Sequence, residues 1–249
     1  MLPLTNSWAI EAMIRCYNHV YHVAYGSEYE DLGGVGVSYY GNASFTPLKM
    51  EFLAYDPDPV VVIAKVNSYP KKPEDKFVIN SFHEQPNNSE LKRQFHELGY
   101  EIVETAMIMG LELTSEPSQG WTNVHKVAGM EQIEFVNQGL ADGNEQIPPK
   151  VHGDASIVNF YAELEHRAVG WAQLVTAYED VGYINQIYTL PVFRQRGIGT
   201  RLLKRLHQEA SVLGIHRMVL LASEMGMGLY RRAGYQPLAY LSVFRLENN

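Results

Sequence analysis

Residues 183–200 join a strand-like run to a strong helical pattern through the loop Arg-Gln-Arg-Gly-Ile-Gly-Thr at 194–200, and that junction constrains the chain more than any other stretch. The run Tyr-Ile-Asn-Gln-Ile-Tyr-Thr-Leu at 183–190 stops at Pro191, and the helical pattern from Thr200 to Leu213 is closed by Gly214. Gly197 and Gly199 carry no Cβ, so the backbone can approach a ligand closely and adopt φ values that other residues resist. The helix beyond them offers unpaired N–H groups and the positive end of its dipole, a combination that suits a phosphate. Arg194, Arg196, Arg201, Lys204 and Arg205 crowd the loop and the first turns of the helix, in a chain of formal charge −8. Such a local reversal of sign reads as a bound anion rather than as general basicity.

At 249 residues the chain can bury a good core, as one large domain or two small ones. Its 46% hydrophobic and 19% charged residues are ordinary for a globular protein. The acidic balance argues against a nucleic-acid or membrane surface, which would need a basic face. The opening Met-Leu-Pro-Leu-Thr-Asn lacks the charged and then apolar segments of a signal peptide, and no uninterrupted apolar run is long enough to span a bilayer, so the expectation is a cytoplasmic protein. Cys16 is the single cysteine, which excludes an internal disulfide and any multi-cysteine zinc site. It lies in the apolar-periodic run from Trp8 to Tyr25 and reads as a buried structural thiol. His19 and His22 share one helix face without a third ligand nearby, so no metal is expected.

The chain echoes itself. Leu-Lys-Arg-Gln-Phe-His-Glu-Leu-Gly-Tyr at 91–100 leads into an apolar run at 101–113, and Leu-Tyr-Arg-Arg-Ala-Gly-Tyr at 229–235 leads into another at 236–247. Superposing them pairs Phe95 with Tyr230, Gly99 with Gly234, and Tyr100 with Tyr235. Each reads as a short helix stopped by glycine and followed by a long strand, with a buried-type strand upstream at 76–80 and 217–221. Two copies of one α/β unit are therefore expected, at 1–114 and 121–249, joined by Thr-Ser-Glu-Pro-Ser-Gln-Gly at 114–120. In the first copy the place of the glycine loop is taken by Asp-Pro-Asp-Pro at 56–59, whose aspartates would repel phosphate, so that half is expected to bind no nucleotide. Residues 33–36, Gly-Gly-Val-Gly, open toward a strand and read as a turn.

In the second half a short strand ending at Lys126, a helix over 128–139 and a loop over 141–150 precede three strands at 155–162, 168–177 and 182–190. Their close spacing favours antiparallel neighbours. The glycine-loop helix, a strand at 217–222, a helix at 228–232 and a strand at 238–246 complete the order. The fold class is thus α/β of the α+β kind, with a mixed, mostly antiparallel central sheet flanked by helices.

This order, with Arg194, Gly197 and Gly199 forming Arg-x-x-Gly-x-Gly between a central strand and its helix, resembles the GNAT acyltransferase superfamily. The later Leu-Tyr-Arg-Arg-Ala-Gly-Tyr helix strengthens the likeness, which covers 121–249 well and 1–113 as a degenerate copy. The resemblance implies that backbone amides across Gln195, Arg196, Gly197, Ile198, Gly199 and Thr200, next to Arg194, hold the pyrophosphate of acetyl-CoA. It implies that Ile187, Tyr188 and Thr189 pair strand-like with the pantetheine arm, and that Tyr230 donates a proton to the leaving thiolate. Some members place a glutamate base on the central strand, where this chain has Tyr183. Glu179 and Asp180 lie just before it and could act as a base through water, although they read more readily as turn residues, and a base from the first half is an equal alternative.

The chemistry agrees with such a tyrosine. An amine attacking a thioester expels a thiolate whose acid has a pKa of about 8.5, so a nearby OH assists departure. A primary alkyl amine of pKa about 10.4 is only about one part in a thousand neutral at pH 7, so a proton acceptor or a depressed amine pKa is needed. The implied activity is N-acetyl transfer from acetyl-CoA to a primary amine of a small molecule or peptide, in a monomer or homodimer, with neither nucleic acid, membrane nor metal. A cationic acceptor suits an acidic chain, and the aromatic run at 38–45 is a candidate wall for it or ordinary strand packing. The alternative is a non-catalytic acyl-CoA-binding sensor or scaffold. The loop lacks the Gly-Lys-Ser/Thr ending of a P-loop and the third glycine of a dinucleotide fingerprint.

Overall fold

The computed structural model describes residues 7–41, 46–113 and 123–247. The first half comprises α1 (Ser7–Tyr25), β1 (Glu28–Asp31), β2 (Val35–Tyr39), β3 (Met50–Ala54), α2 (Pro59–Ser68), β4 (Phe77–His83), α3 (Ser89–Glu97) and β5 (Tyr100–Glu112). The second comprises β6 (Val124–Lys126), α4 (Met130–Leu140), β7 (Ile157–Leu164), β8 (Arg167–Tyr178), β9 (Val181–Thr189), α5 (Ile198–Val212), β10 (Arg217–Ala222), α6 (Met227–Arg232) and β11 (Gln236–Leu246). The linker at 114–120, Trp121 and the 42–45 part of the aromatic run lie outside the described residues.

All strands belong to one 11-stranded sheet in the order β1-β2-β3-β4-β11-β5-β10-β9-β8-β7-β6. The mixed, mostly antiparallel sheet expected from the strand spacing is present. Only β3 with β4 and β9 with β10 run parallel, as expected when a helix connects them. The last strands of the two halves are exchanged. β5 lies between β10 and β11, and β11 lies between β5 and β4.

The register of this central pair carries the echo seen in the sequence. Under the equivalence of Tyr100 with Tyr235, the pair Glu101 and Arg245 maps onto Gln236 and Gly110, and Ile102 with Phe244 maps onto Pro237 with Met109. The two register breaks, one skipping Val103 and the other Leu238, exchange in the same way. Gly99 and Gly234 both take positive φ, 84° and 95°, at the helix-to-strand corner, a conformation that favours glycine. Tyr100 and Tyr235 are both buried behind them.

Packing follows strand alternation. On one face Leu202 and Leu206 of α5 meet Leu174, Ile184 and Leu220, with Tyr230 and Tyr235 in the same cluster. In the first half Val62, Val66 and Phe95 meet Phe52, Ile79 and Phe244, and the rings of Phe95 and Phe244 stack at 4.0 Å. On the opposite face α1 breaks the symmetry. Its apolar stripe, including Ile10, Met13 and Cys16, packs against Trp171, Val175 and Tyr183 of the second half. Each fully buried Ile or Met there contributes about 1.5–3 kcal/mol of transfer free energy, so the first helix binds the halves together.

Candidate active site

The junction at 190–200 has the geometry its composition implies. A 3-10 turn, Pro191–Phe193, ends β9, and α5 begins at Ile198 with Gly197 as N-cap in the left-handed region at φ 73°. Gln195 also takes a positive φ of 62° although it is not glycine. Turns through left-handed residues can aim backbone N–H groups into a concavity suited to an anion. No side chain caps α5, so its first-turn donors face outward. A Cβ on Gly197 would meet nothing within 4 Å, and one on Gly199 only the Cδ2 of Leu229 at 3.4 Å. Packing does not require glycine at 199, whereas an approaching ligand would.

The matching place in the first half has the opposite character. The Asp58 side chain accepts from Val60 N at 2.9 Å and caps α2, while the Asp56 carboxylate accepts from Asp58 N at 3.0 Å. There the helix N-terminus already holds carboxylates of its own chain, and α5 alone of the pair is open.

Four of the five cations divide into roles. The Arg201 guanidinium donates to Arg196 O at 2.8 Å and braces the loop. Arg205 pairs with Glu209 at 3.2 Å and lies over the Phe160 ring, so it serves the fold. Arg194 and Arg196 are exposed on the loop, against the rings of Tyr188 and Phe193.

Beside the loop the sheet opens. β9 and β10 pair from Val181 with Arg217 to Ile184 with Leu220, and β9 then continues to Thr189 alone on that side. Meanwhile β10 stays with β5 as far as Ala222 opposite Met107. The divergence coincides with a bulge against β8, where Asn185 is skipped between Gln186 opposite Gln173 and Ile184 opposite Leu174. A bulge bends its strand, and an amide chain holds this one. Asn185 donates to Gln173 Oε1 at 2.8 Å, and Gln173 donates to Asn159 Oδ1 at 2.9 Å, deep in the sheet. Ile187, Tyr188 and Thr189 of the free arm are half-buried, as are Asn185 and Gln186 before them. Neither the bulge nor its buried amides were read from the sequence; the rare Gln173 and Asn159 at buried strand positions were the available signal.

Tyr230 reaches the same opening from α6. Its neighbour Leu229 lies against Gly199, and Ile187 packs on the cluster that contains Tyr230. The ring is buried and sits edge-on to Tyr235 at 5.8 Å. Burial pushes its pKa up to about 12, and no group among the described residues hydrogen-bonds its hydroxyl. A phenol of that pKa stays protonated and donates a hydrogen bond to a thiolate. It is too weak an acid to be fully deprotonated by one.

Other candidates have structural duties. Cys16 is buried with its thiol pushed up to about 12 by burial. His19 binds Asp154 at 3.1 Å, His22 faces Ser27 O at 2.8 Å, and no metal-binding group exists among the described residues. Glu179 and Asp180 sit in the turn before β9 and pair with Arg217. The full length of β9 separates them from the loop, roughly 30 Å at about 3.3 Å per residue.

Comparison with known proteins agrees with this architecture. Residues 125–235 match the model of the Acetyltransferase (GNAT) family. A GCN5-related N-acetyltransferase from Kribbella flavida superposes with a TM-score of 0.68 at 17% identity, over 97% of this chain and 96% of that one. A functionally unknown conserved protein from Staphylococcus epidermidis ATCC 12228 gives 0.62 at 15% identity, over 90% and 96%. A GCN5-related N-acetyltransferase from Sphaerobacter thermophilus gives 0.57 at 13%, over 85% and 76%. No curated protein sequence matches the chain. These likenesses extend the fold over both halves, and residues 125–235 are an acetyltransferase domain of the GNAT family.

Proposed function

We propose that the protein transfers an acetyl group from acetyl-CoA to a primary amine by direct attack, and that it consists of two copies, 1–114 and 121–249, of which the second binds the thioester. The observation that carries this reading is the uncapped N-terminus of α5, entered through left-handed Gln195 and Gly197, beside the point where β9 leaves β10. Backbone N–H groups of Gln195, Arg196, Gly197, Ile198, Gly199 and Thr200 hold the pyrophosphate, with Arg194 and Arg196 supplying positive charge. The free arm at Ile187, Tyr188 and Thr189 offers strand hydrogen bonds to the pantetheine amides and an N–H for the developing oxyanion. The neutral amine nitrogen bonds to the carbonyl carbon, the carbon–sulfur bond breaks, and the amine loses a proton to an acceptor. The departing thiolate is stabilised by a hydrogen bond from Tyr230.

Titration calorimetry with acetyl-CoA and CoA tests the loop, and thiol release in the presence of amines tests the transfer. Micromolar binding of both and amine-dependent release are expected. Binding without release by any amine would instead support a sensor or scaffold, the reading that Tyr183 in the glutamate's place favours. A cleaner loop variant than one at Gly197, where a side chain would be strained, is Gly199→Glu. The fold tolerates a Cβ there, so acetyl-CoA binding should be lost with the melting temperature kept. Unchanged affinity would place the pyrophosphate elsewhere.

A further inference from the structure

On the face of the sheet opposite Tyr230, a cavity of about 180 Å³ lies beneath α1. Tyr183 at the vertex of the β9–β10 opening and Leu221 just past it line the cavity, and its polar groups are Tyr17, Glu51, Asn80 and Glu104 in an otherwise apolar wall that includes Leu53 and Phe82. Two carboxylates and no cation face this space. Larger clefts, of about 670 and 680 Å³, lie at the first half's outer edge and do not reach the opening.

Glu51 has a special place in the pseudo-symmetry. β3 sets Phe52 opposite Ile79, and β9 sets Ile184 opposite Leu220. Ile79 in turn pairs with Phe244, and Leu220 with Met109, which the central register exchanges. Glu51 is therefore the counterpart of Tyr183, and Asn80 of Leu221. The half that lost the open phosphate loop has the carboxylate, and the half that kept the loop has a tyrosine.

The surroundings of Glu51 suit a cation. Its Oε2 accepts from Asn80 Nδ2 at 3.0 Å and from Tyr17 OH at 3.4 Å, and Tyr17 OH lies 3.2 Å from Tyr40 OH. The rings of Tyr17 and Tyr21 are 4.4 Å apart, and those of Tyr21 and Tyr40 are 5.7 Å apart. Of these rings Tyr17 alone lines the cavity, joined there by Phe82 and Tyr183, and a carboxylate beside aromatic side chains is a setting that an ammonium ion occupies favourably. Burial pushes the Glu51 carboxyl above its ordinary value despite the donors around it, so a cation in the cavity would recover part of the lost solvation.

We infer that this cavity receives the acceptor and that Glu51 binds a second ammonium group on it, so that the preferred acceptor is an aliphatic diamine rather than a simple alkylamine. This rests on the acetyl-transfer reading above. One amino group lies beside Tyr183, next to the opening, and the other lies against Glu51 with Glu104 nearby. The first half supplies recognition of the acceptor, and the second supplies the thioester.

The test uses the full chain and needs no turnover. Diaminobutane, diaminohexane and diaminooctane are titrated into wild type and Glu51→Gln alongside butylamine, hexylamine and octylamine. Wild type should bind one diamine length at least tenfold more tightly than its monoamine, and Glu51→Gln should abolish that difference while keeping acetyl-CoA affinity as proof of folding. Equal binding of diamines and monoamines by wild type overturns the inference without any variant. A diamine preference that persists in Glu51→Gln overturns the role of Glu51. Diamine binding without thiol release would sink the transfer reading and leave the cation site standing, whereas release with other amines and no diamine preference would sink this inference alone.

Discussion

At the scale of single residues, Tyr230 shows how burial decides a role. Its hydroxyl has no partner among the described residues, so the native fold does not depend on it. Tyr230→Phe should therefore leave the melting temperature and the acetyl-CoA affinity unchanged and lower kcat by on the order of 10²-fold. The pH profile separates this role from a titrating acid. A tyrosine pushed up to about 12 remains protonated at pH 7 and pH 9 alike, so the variant's loss of kcat should be equal at both. A deficit that shrinks by pH 9 would mean that wild-type Tyr230 ionises below that pH, contrary to its burial. Tyr230 could be singled out in the sequence because it sits one turn before a glycine stop. Glu51 was not legible, because one carboxylate in a five-residue strand has no local signature and its value comes from register with a strand of the other half.

Elements were legible where their punctuation was local. α1 fills the apolar-periodic run at 8–25, α3 and α6 stop at Gly99 and Gly234, and β7, β8 and β9 are the expected antiparallel neighbours. The divergence of β9 from β10 was not legible, since it depends on a bulge created by pairing with β8 and on amides two strands away. The start of α2 differs from that of α5 in carrying its own cap. Asp58 performs the capping that a phosphate would perform on α5, and Pro59 fits the first helical position. Asp58→Ala should cost about 1 kcal/mol of stability, within the usual range for a lost cap. It should not alter acetyl-CoA affinity, because α5 is a separate helix end. Weaker acetyl-CoA binding in a folded Asp58→Ala protein would show that α2 takes part in the site.

For the whole molecule, the exchange of β5 and β11 decides how the halves depend on each other. The echo at 91–113 and 229–247 suggested two units in series, yet neither half's strands form a closed set. Excising 121–249 would remove β5 from between β10 and β11, exposing backbone donors and acceptors along both, and would remove α1 from Trp171, Val175 and Tyr183. Unpaired strand edges and an uncovered apolar face are together aggregation-prone. Residues 121–249 produced alone should therefore be insoluble or unfolded, although they contain the whole glycine loop and Tyr230. The full chain should unfold in one cooperative transition, with far-UV circular dichroism and tryptophan fluorescence coincident. Co-producing 1–114 with 121–249 should restore a soluble complex that binds acetyl-CoA, because every strand among the described residues lies wholly within one fragment or the other. A soluble, folded 121–249 fragment would mean that the central pairing is replaceable and that the second half does not depend structurally on the first. Cooperative loss of both halves would instead make the first half structurally indispensable to the second.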